Sequence, residues 1–154
     1  MNAFIIVRVR GNCETRQTVE DTLCQLHLNR KHNCTIVQDT PQMKGKIMSA
    51  KDYITWGPAT PEAVALLLEK RGVLVGSKKL TQESVASLGT KFKTLPQLAE
   101  AIASGEIRLS AIKGLKPLFR LNPPRKGFGS IKTPMPKGAL GSRKEILSLL
   151  KAMV

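Results

Sequence analysis

The chain opens on a loose two-residue alternation. From Ala3 to Arg10, Phe4, Ile6, Arg8 and Arg10 fall on one face of an extended segment, and Ile5, Val7 and Val9 on the other. This predicts a strand whose arginine end leaves the sheet, closed by Gly11. The period then lengthens: Val19, Leu23 and Leu26 recur at i, i+4, i+7 in a helix running from about Thr15, a candidate cap, to His27. Cys34 to Gln38 is rich in β-branched residues and reads as a second strand. Thr40-Pro41 sets a capping residue and a first-turn proline ahead of Met43, Ile47 and Met48, a short helix whose weak point is Gly45. Tyr53 to Trp56 is a third strand, stopped by Gly57-Pro58. The pattern over 1–57 is therefore β-α-β-α-β.

Helical punctuation dominates 58–113. Thr60-Pro61-Glu62 opens a helix with Val64, Leu67 and Leu68 inward, Lys70 and Arg71 in its last turn and Gly72 as its stop. Val73 to Val75 reads as a brief strand, Thr81 as the cap of a short helix to Leu88, and Thr94-x-x-Gln97 as a capping box before Leu98, Ala99 and Ile102. These signals suggest a self-contained helical insertion. In 114–154, Leu118 to Leu121 can add a short strand, and Asn122 to Gly141 is expected to be an irregular basic loop. Ser142-x-x-Glu145 reads as a capping box for a terminal helix carrying Ile146, Leu149, Leu150 and Met153, which packs back on the body.

Composition narrows the function. Among 154 residues, 25 Lys and Arg stand against 11 Asp and Glu, a net charge of +14. The excess is uneven: 1–56 and 57–113 each carry a net +3, and 114–154 carries +8. Five prolines and five glycines within 114–141 put that excess on a segment that resists regular helix. Such a segment fits nucleic acid better than a membrane surface, which is usually met by a basic amphipathic helix. The longest apolar run, Ala63 to Leu68, is far shorter than a membrane span, and the first residues lack a signal-peptide cleavage site, so the mature chain is expected to begin at Met1 or Asn2. Cys13, Cys24 and Cys34 cannot all pair, which suits a reducing cytoplasm.

Catalytic chemistry finds little to build on. The acids sit singly apart from Glu20-Asp21, whose side chains leave a helix in different directions. Gly45-Lys46 lacks the other residues of a phosphate-binding loop, and no helix follows Gly127-Phe128-Gly129. Cys24-x-x-His27 with His32-x-Cys34 matches no usual zinc knuckle, so neither metal nor cofactor is assigned. Basic residues remain: Arg8 and Arg10 at the end of the first strand, Arg30-Lys31, Lys44 and Lys46, Arg125-Lys126, Lys132, Lys137 and Arg143 are the candidate RNA contacts. Lys78-Lys79 forms a further pair, away from the dense basic stretch. Tyr53 and Trp56 could stack on bases, although the alternation of a short strand turns at least one inward.

Taken in order, FIIVRVRG, TLCQLHLNRKHNCTIVQDTPQMKGKI, KDYITWG, the helix ending LLLEKRG and FRLNPPRKGFGSIKTPMPKGALGSRKEI carry a resemblance across essentially the whole chain. It is similar to the family of archaeal large-subunit ribosomal protein number thirty, number seven in eukaryotes. The most specific stretches are Asp39-Thr40-Pro41 with Gly45, Lys51-Asp52-Tyr53 with Trp56-Gly57, and Pro123-Pro124-Arg125 through Pro136-Lys137-Gly138. The resemblance implies an α+β fold whose β-α-β-α-β core is related to the split βαβ, ferredoxin-like fold. A small helical insertion, the basic loop and a C-terminal helix are added to that core. It also implies a non-enzymatic constituent of the cytoplasmic large ribosomal subunit, a monomer there, with large-subunit ribosomal RNA, neighbouring ribosomal proteins and, as a candidate, 5S RNA for partners. A free-standing RNA-binding module or RNA chaperone is the alternative.

Overall fold

The computed structural model describes residues 2–81, 84, 85, 92 and 94–154. In chain order the elements are β1 (Ala3–Arg8), α1 (Gln17–Gln25), β2 (Asn33–Gln38), α2 (Pro41–Ser49), β3 (Ile54–Pro58), α3 (Pro61–Arg71), α4 (Leu95–Ala103), a 3-10 turn at Leu109–Ala111, β4 (Phe119–Arg120), β5 (Ser130–Pro134), β6 (Gly138–Ser142) and α5 (Leu147–Met153). Of the helix expected from Thr81 to Leu88, the described residues are Thr81, whose carbonyl accepts from Val85 N at 3.2 Å, and helical Ser84 and Val85; the rest lies outside them.

One six-stranded sheet runs β4-β2-β1-β3-β6-β5. β1 is antiparallel to both neighbours, with Ile5 opposite Ile36 on one side and Gly57 on the other. β2 and β3 therefore run the same way with β1 between them, and α2 makes the crossover: this is the split β-α-β arrangement. The sheet buries both faces, as the alternation of β1 requires. Ile6 packs with Leu23 of α1, Leu26 and Leu28 just after it, Ile47 of α2, Ala50 at its C-terminal end, and Ile54. Ile5 and Val7 point the other way, into a larger cluster with Val64 and Leu68 of α3, Leu98 and Ile102 of α4, Phe119, and Leu150 and Met153 of α5. All three chain segments meet in this second cluster.

Local sequence explains where elements start. The Thr40 and Thr60 hydroxyls accept from Met43 N and Ala63 N, each at 3.3 Å, ahead of a first-turn proline, and such caps contribute about 1 kcal/mol. Thr15 and Thr94 cap nothing: α1 begins after Arg16, and Thr94 makes no side-chain bond to α4. The expected Ser142 capping box is also absent, because Gly138–Ser142 is extended beside β3 and the helix starts later, at Leu147. The loop expected over Asn122 to Gly141 thus contains β5 and β6. Ala139 and Leu140 are buried with Val9, against Phe128, and Thr55 Oγ1 donates to Gly141 O at 3.0 Å. Gly57 permits this docking, since a Cβ there would meet Arg143 O at 2.9 Å and Ile146 Cβ at 3.0 Å.

Candidate nucleic-acid interface

Strand directions gather several distant loops at one end of the sheet. The C-terminal end of β1, the N-terminal ends of β2, β3 and β6 and the C-terminal end of β4 all lie there. His32 N donates to Arg8 O at 2.9 Å and Leu121 N to His32 O at 3.1 Å, so the turn before β2 is held between β1 and β4. Val9 N and Arg10 N both donate to Tyr53 O, at 2.9 and 3.1 Å, fixing the turn before β3. The Arg10 guanidinium sits 5.0 Å from the centroid of the Tyr53 ring. Lys31 lies over Gly11, where a Cβ would come within 2.8 Å of its Cε.

The segment after β4 joins the same rim. Asn122 N and Arg125 N donate to Met153 O and Ala152 O at 2.9 and 3.0 Å, anchoring the chain on the last turn of α5. Gly127 N then donates to Pro124 O at 2.9 Å in a tight turn with Arg125 and Lys126 at its centre, and Lys126 holds a φ of 71°. Phe128 reaches back to stack on His32, with ring centroids 5.6 Å apart and planes within 6°. Burial, and then the neighbouring Lys31 charge, lowers the His32 pKa. Arg30, Lys31, Arg125, Lys126 and Lys137 are exposed on this rim, and Lys132 is exposed on β5 at the sheet edge.

The remaining candidates sit elsewhere. Arg8 is only 1% exposed, and its guanidinium is spent inside the fold: Nε donates to Arg10 O, Nη1 to Leu28 O and Nη2 to Asn12 Oδ1. Burial lowers its pKa, opposed by the charge of Glu20. Arg143 is half-buried, with Nε donating to Thr55 Oγ1 and Nη2 to Ala139 O, so it ties β6 to β3; burial lowers its pKa too. Lys44 lies at the opposite end of the sheet, in a 2.8 Å ion pair with Asp39, and Lys46 is half-buried on α2.

Arg120 was absent from the sequence candidates. It is exposed at the rim between buried Phe119 and Leu121, and that apolar-basic-apolar spacing was the signal that could have found it. Tyr53 and Trp56 are both half-buried against the cluster under α1 and α2, so neither forms an open stacking platform. Cys34 is fully buried, which pushes its thiol pKa up, whereas Cys24 is exposed. Among the described residues no three His, Cys, Asp or Glu side chains converge as a metal site, and no helix is long and apolar enough to cross a membrane.

Residues 4–54 match the family described as ribosomal protein L30p/L7e. Across nearly its whole length the chain is similar to archaeal proteins named large ribosomal subunit protein uL30. The protein from Archaeoglobus fulgidus is 39% identical over 147 residues, covering 96% of each chain. That from Methanocella arvoryzae is 40% identical over 152 residues, 97% of this chain and 99% of the relative. A third, from Methanosphaera stadtmanae, is 42% identical over 153 residues, 98% and 99% of the two chains.

Proposed function

The chain belongs to the family of large ribosomal subunit protein uL30, and from that premise we propose that the basic rim is its contact with ribosomal RNA. The protein is a non-enzymatic structural constituent of the large subunit, in association with ribosomal RNA and other ribosomal proteins. The observation that carries the finer reading is the convergence of exposed cations from three separate chain segments on one sheet end. Exposed Arg30 and Lys31, Arg120 at the end of β4, the Arg125-Lys126 turn and Lys137 occupy that end, with half-buried Arg10 on the Tyr53 ring beneath them and Lys132 on the neighbouring sheet edge.

Phosphate contacts by these side chains supply affinity, while the rigid sheet end fixes their spacing and hence the placement on an RNA fold. Lys44, paired with Asp39 at the far end, stands outside the contact, and Arg8 and Arg143 act by holding the rim and β6 in place. The protein serves as a monomer within the subunit, and 5S RNA is a candidate second partner. Changing Arg125, Lys126, Lys132 and Lys137 together to Gln tests the reading. Each phosphate contact contributes roughly 0.7–0.9 to the slope of log affinity against log salt, so the slope should fall by about 3. An unchanged slope on the same ribosomal RNA fragment would refute the loop as electrostatic anchor. Sedimentation of the protein with the large subunit at moderate salt separates this role from that of a free-standing RNA chaperone.

A further inference from the structure

A second group of lysines converges away from the rim. After α3 the chain turns sharply: Ser77 N donates to Leu74 O at 3.0 Å and Leu74 N to Lys78 O at 2.8 Å, with Val73 bridged to Lys79. Gly76, at a φ of 87°, occupies the turn position that a side chain would strain. The segment before β4 then adds a third strand-like piece. Val75 N donates to Gly114 O at 2.8 Å, Lys116 N donates to Val73 O at 3.0 Å, and Leu74 is bridged to Leu115. Lys78 and Lys79 thereby share one small ladder with Lys113 and Lys116, and all four are exposed.

Resting on the ribosomal RNA reading above, we propose that this ladder, Lys78, Lys79, Lys113 and Lys116 around the tip of Val75, is a second RNA-binding surface that grips a different segment of the same RNA. The two lysine pairs lie on the outer strands of the ladder, on either side of Val73 to Val75, and their summed charge favours a polyanion. Among the described residues none of the four has an ion-pair partner; the ion pair found there is Lys44 with Asp39. The turn also holds Val75 outward at 70% exposure, the most exposed of the large apolar side chains described. An apolar tip flanked by lysines is suited to lie against a ribose or base edge while the ammonium groups take phosphates. Exposed Lys70, in the last turn of α3, extends the positive surface. Arg71, beside it, links the two regions: its Nη2 donates to Val154 O at 2.9 Å, on the helix end that also anchors Asn122 and Arg125. Arg71, two residues before the ladder begins at Val73, thus ties that segment to the helix end on which the basic turn is anchored, so the two surfaces are held in a fixed relation for two strands of a folded RNA.

The test compares three full-length proteins on one large-subunit RNA fragment: wild type, the rim variant R125Q/K126Q/K132Q/K137Q, and the ladder variant K78Q/K79Q/K113Q/K116Q. The ladder variant should lower the salt slope by about 3 on its own, and the two sets combined should lower it by about 6. A photo-crosslinker at position 75 should label nucleotides distinct from those labelled by one at position 126. A ladder variant with wild-type slope, labelling of the same nucleotides from both positions, or labelling of protein alone from position 75 would each overturn the second surface. Failure of wild type to bind the fragment would instead count against the ribosomal RNA reading itself.

Discussion

The imidazole of His32 and the ring of Phe128 lie face to face, 5.6 Å apart, joining the turn before β2 to the basic segment after β4. These residues are 96 positions apart in the chain, yet their contact ties the turn that carries Lys31 to the turn that carries Lys126. Phe128 also packs against Val9, Ala139 and Leu140. It is the apolar peg on which the basic turn hangs.

Phe128→Ala should therefore do two things at once. Loss of a half-buried ring and its stack is expected to lower stability by about 1–2 kcal/mol, read from the denaturant midpoint. RNA affinity should also fall, although no charge is removed, because Arg125 and Lys126 lose their fixed relation to Lys31. A double-mutant cycle with His32→Ala should give a coupling of about 0.5–1.5 kcal/mol. Zero coupling would mean that the ring pair carries no energy.

His32 also gives the fold a pH dependence of known sign. Its folded pKa is lowered from the ordinary 6.5, first by burial and then by Lys31, so below that pH the unfolded chain binds the proton more readily. The stabilisation is complete above about 6.5 and is lost as pH falls from there through the lowered folded value. His32→Phe keeps an aromatic partner for Phe128 and should flatten the stability profile in that window. A profile that keeps its slope in the variant would assign it to another group.

The sequence revealed most where the chain speaks locally. Thr40-Pro41 and Thr60-Pro61 announced their helices because cap and proline act within one turn. The alternation of β1 placed Ile5 and Ile6 on opposite faces correctly. Long-range partners left no such mark. Gly138 to Gly141 reads as a loop and Ser142 as a helix cap, yet the stretch becomes a strand because β3 offers an edge and Ala139 and Leu140 bury against Val9 and Phe128. The cap signals of 58–113 suggest a self-contained unit, but they say nothing of where the inner faces of α3 and α4 go.

Removal of 58–113 measures that last point. Ala3, Ile5, Val7, Cys34 and Ile36 on one sheet face are buried in a cluster with α3 and α4 residues. Joining Gly57 to Gly114 by a short flexible linker should expose that face, and the shortened chain is expected to lose cooperative unfolding or to self-associate. A sharp, monomeric denaturation transition in the deletion protein would show that the β-α-β-α-β segment stands alone.

Arg8 is a cation held inside the fold. It shares the β1 face with Phe4 and Ile6, so the same alternation that buries Ile6 carries the arginine under the α1–β2 connection. There it survives because each nitrogen finds an oxygen: Arg10 O, Leu28 O and Asn12 Oδ1. Two of those acceptors are backbone carbonyls, which no side-chain pattern advertises. Arg8→Met keeps length and apolar stem but leaves the buried Leu28 O without its donor, while the part-buried Arg10 O and Asn12 Oδ1 can turn to water, so a loss of about 1–3 kcal/mol is expected. Arg8→Lys should recover only part, because an ammonium cannot reproduce the planar fork that reaches three acceptors. Neither change should alter the salt slope of RNA binding under conditions where the variant is folded, in contrast to the exposed Arg125. A slope reduced by about 1 in Arg8→Met, with stability intact, would mean that Arg8 reaches a phosphate rather than the carbonyl of Leu28.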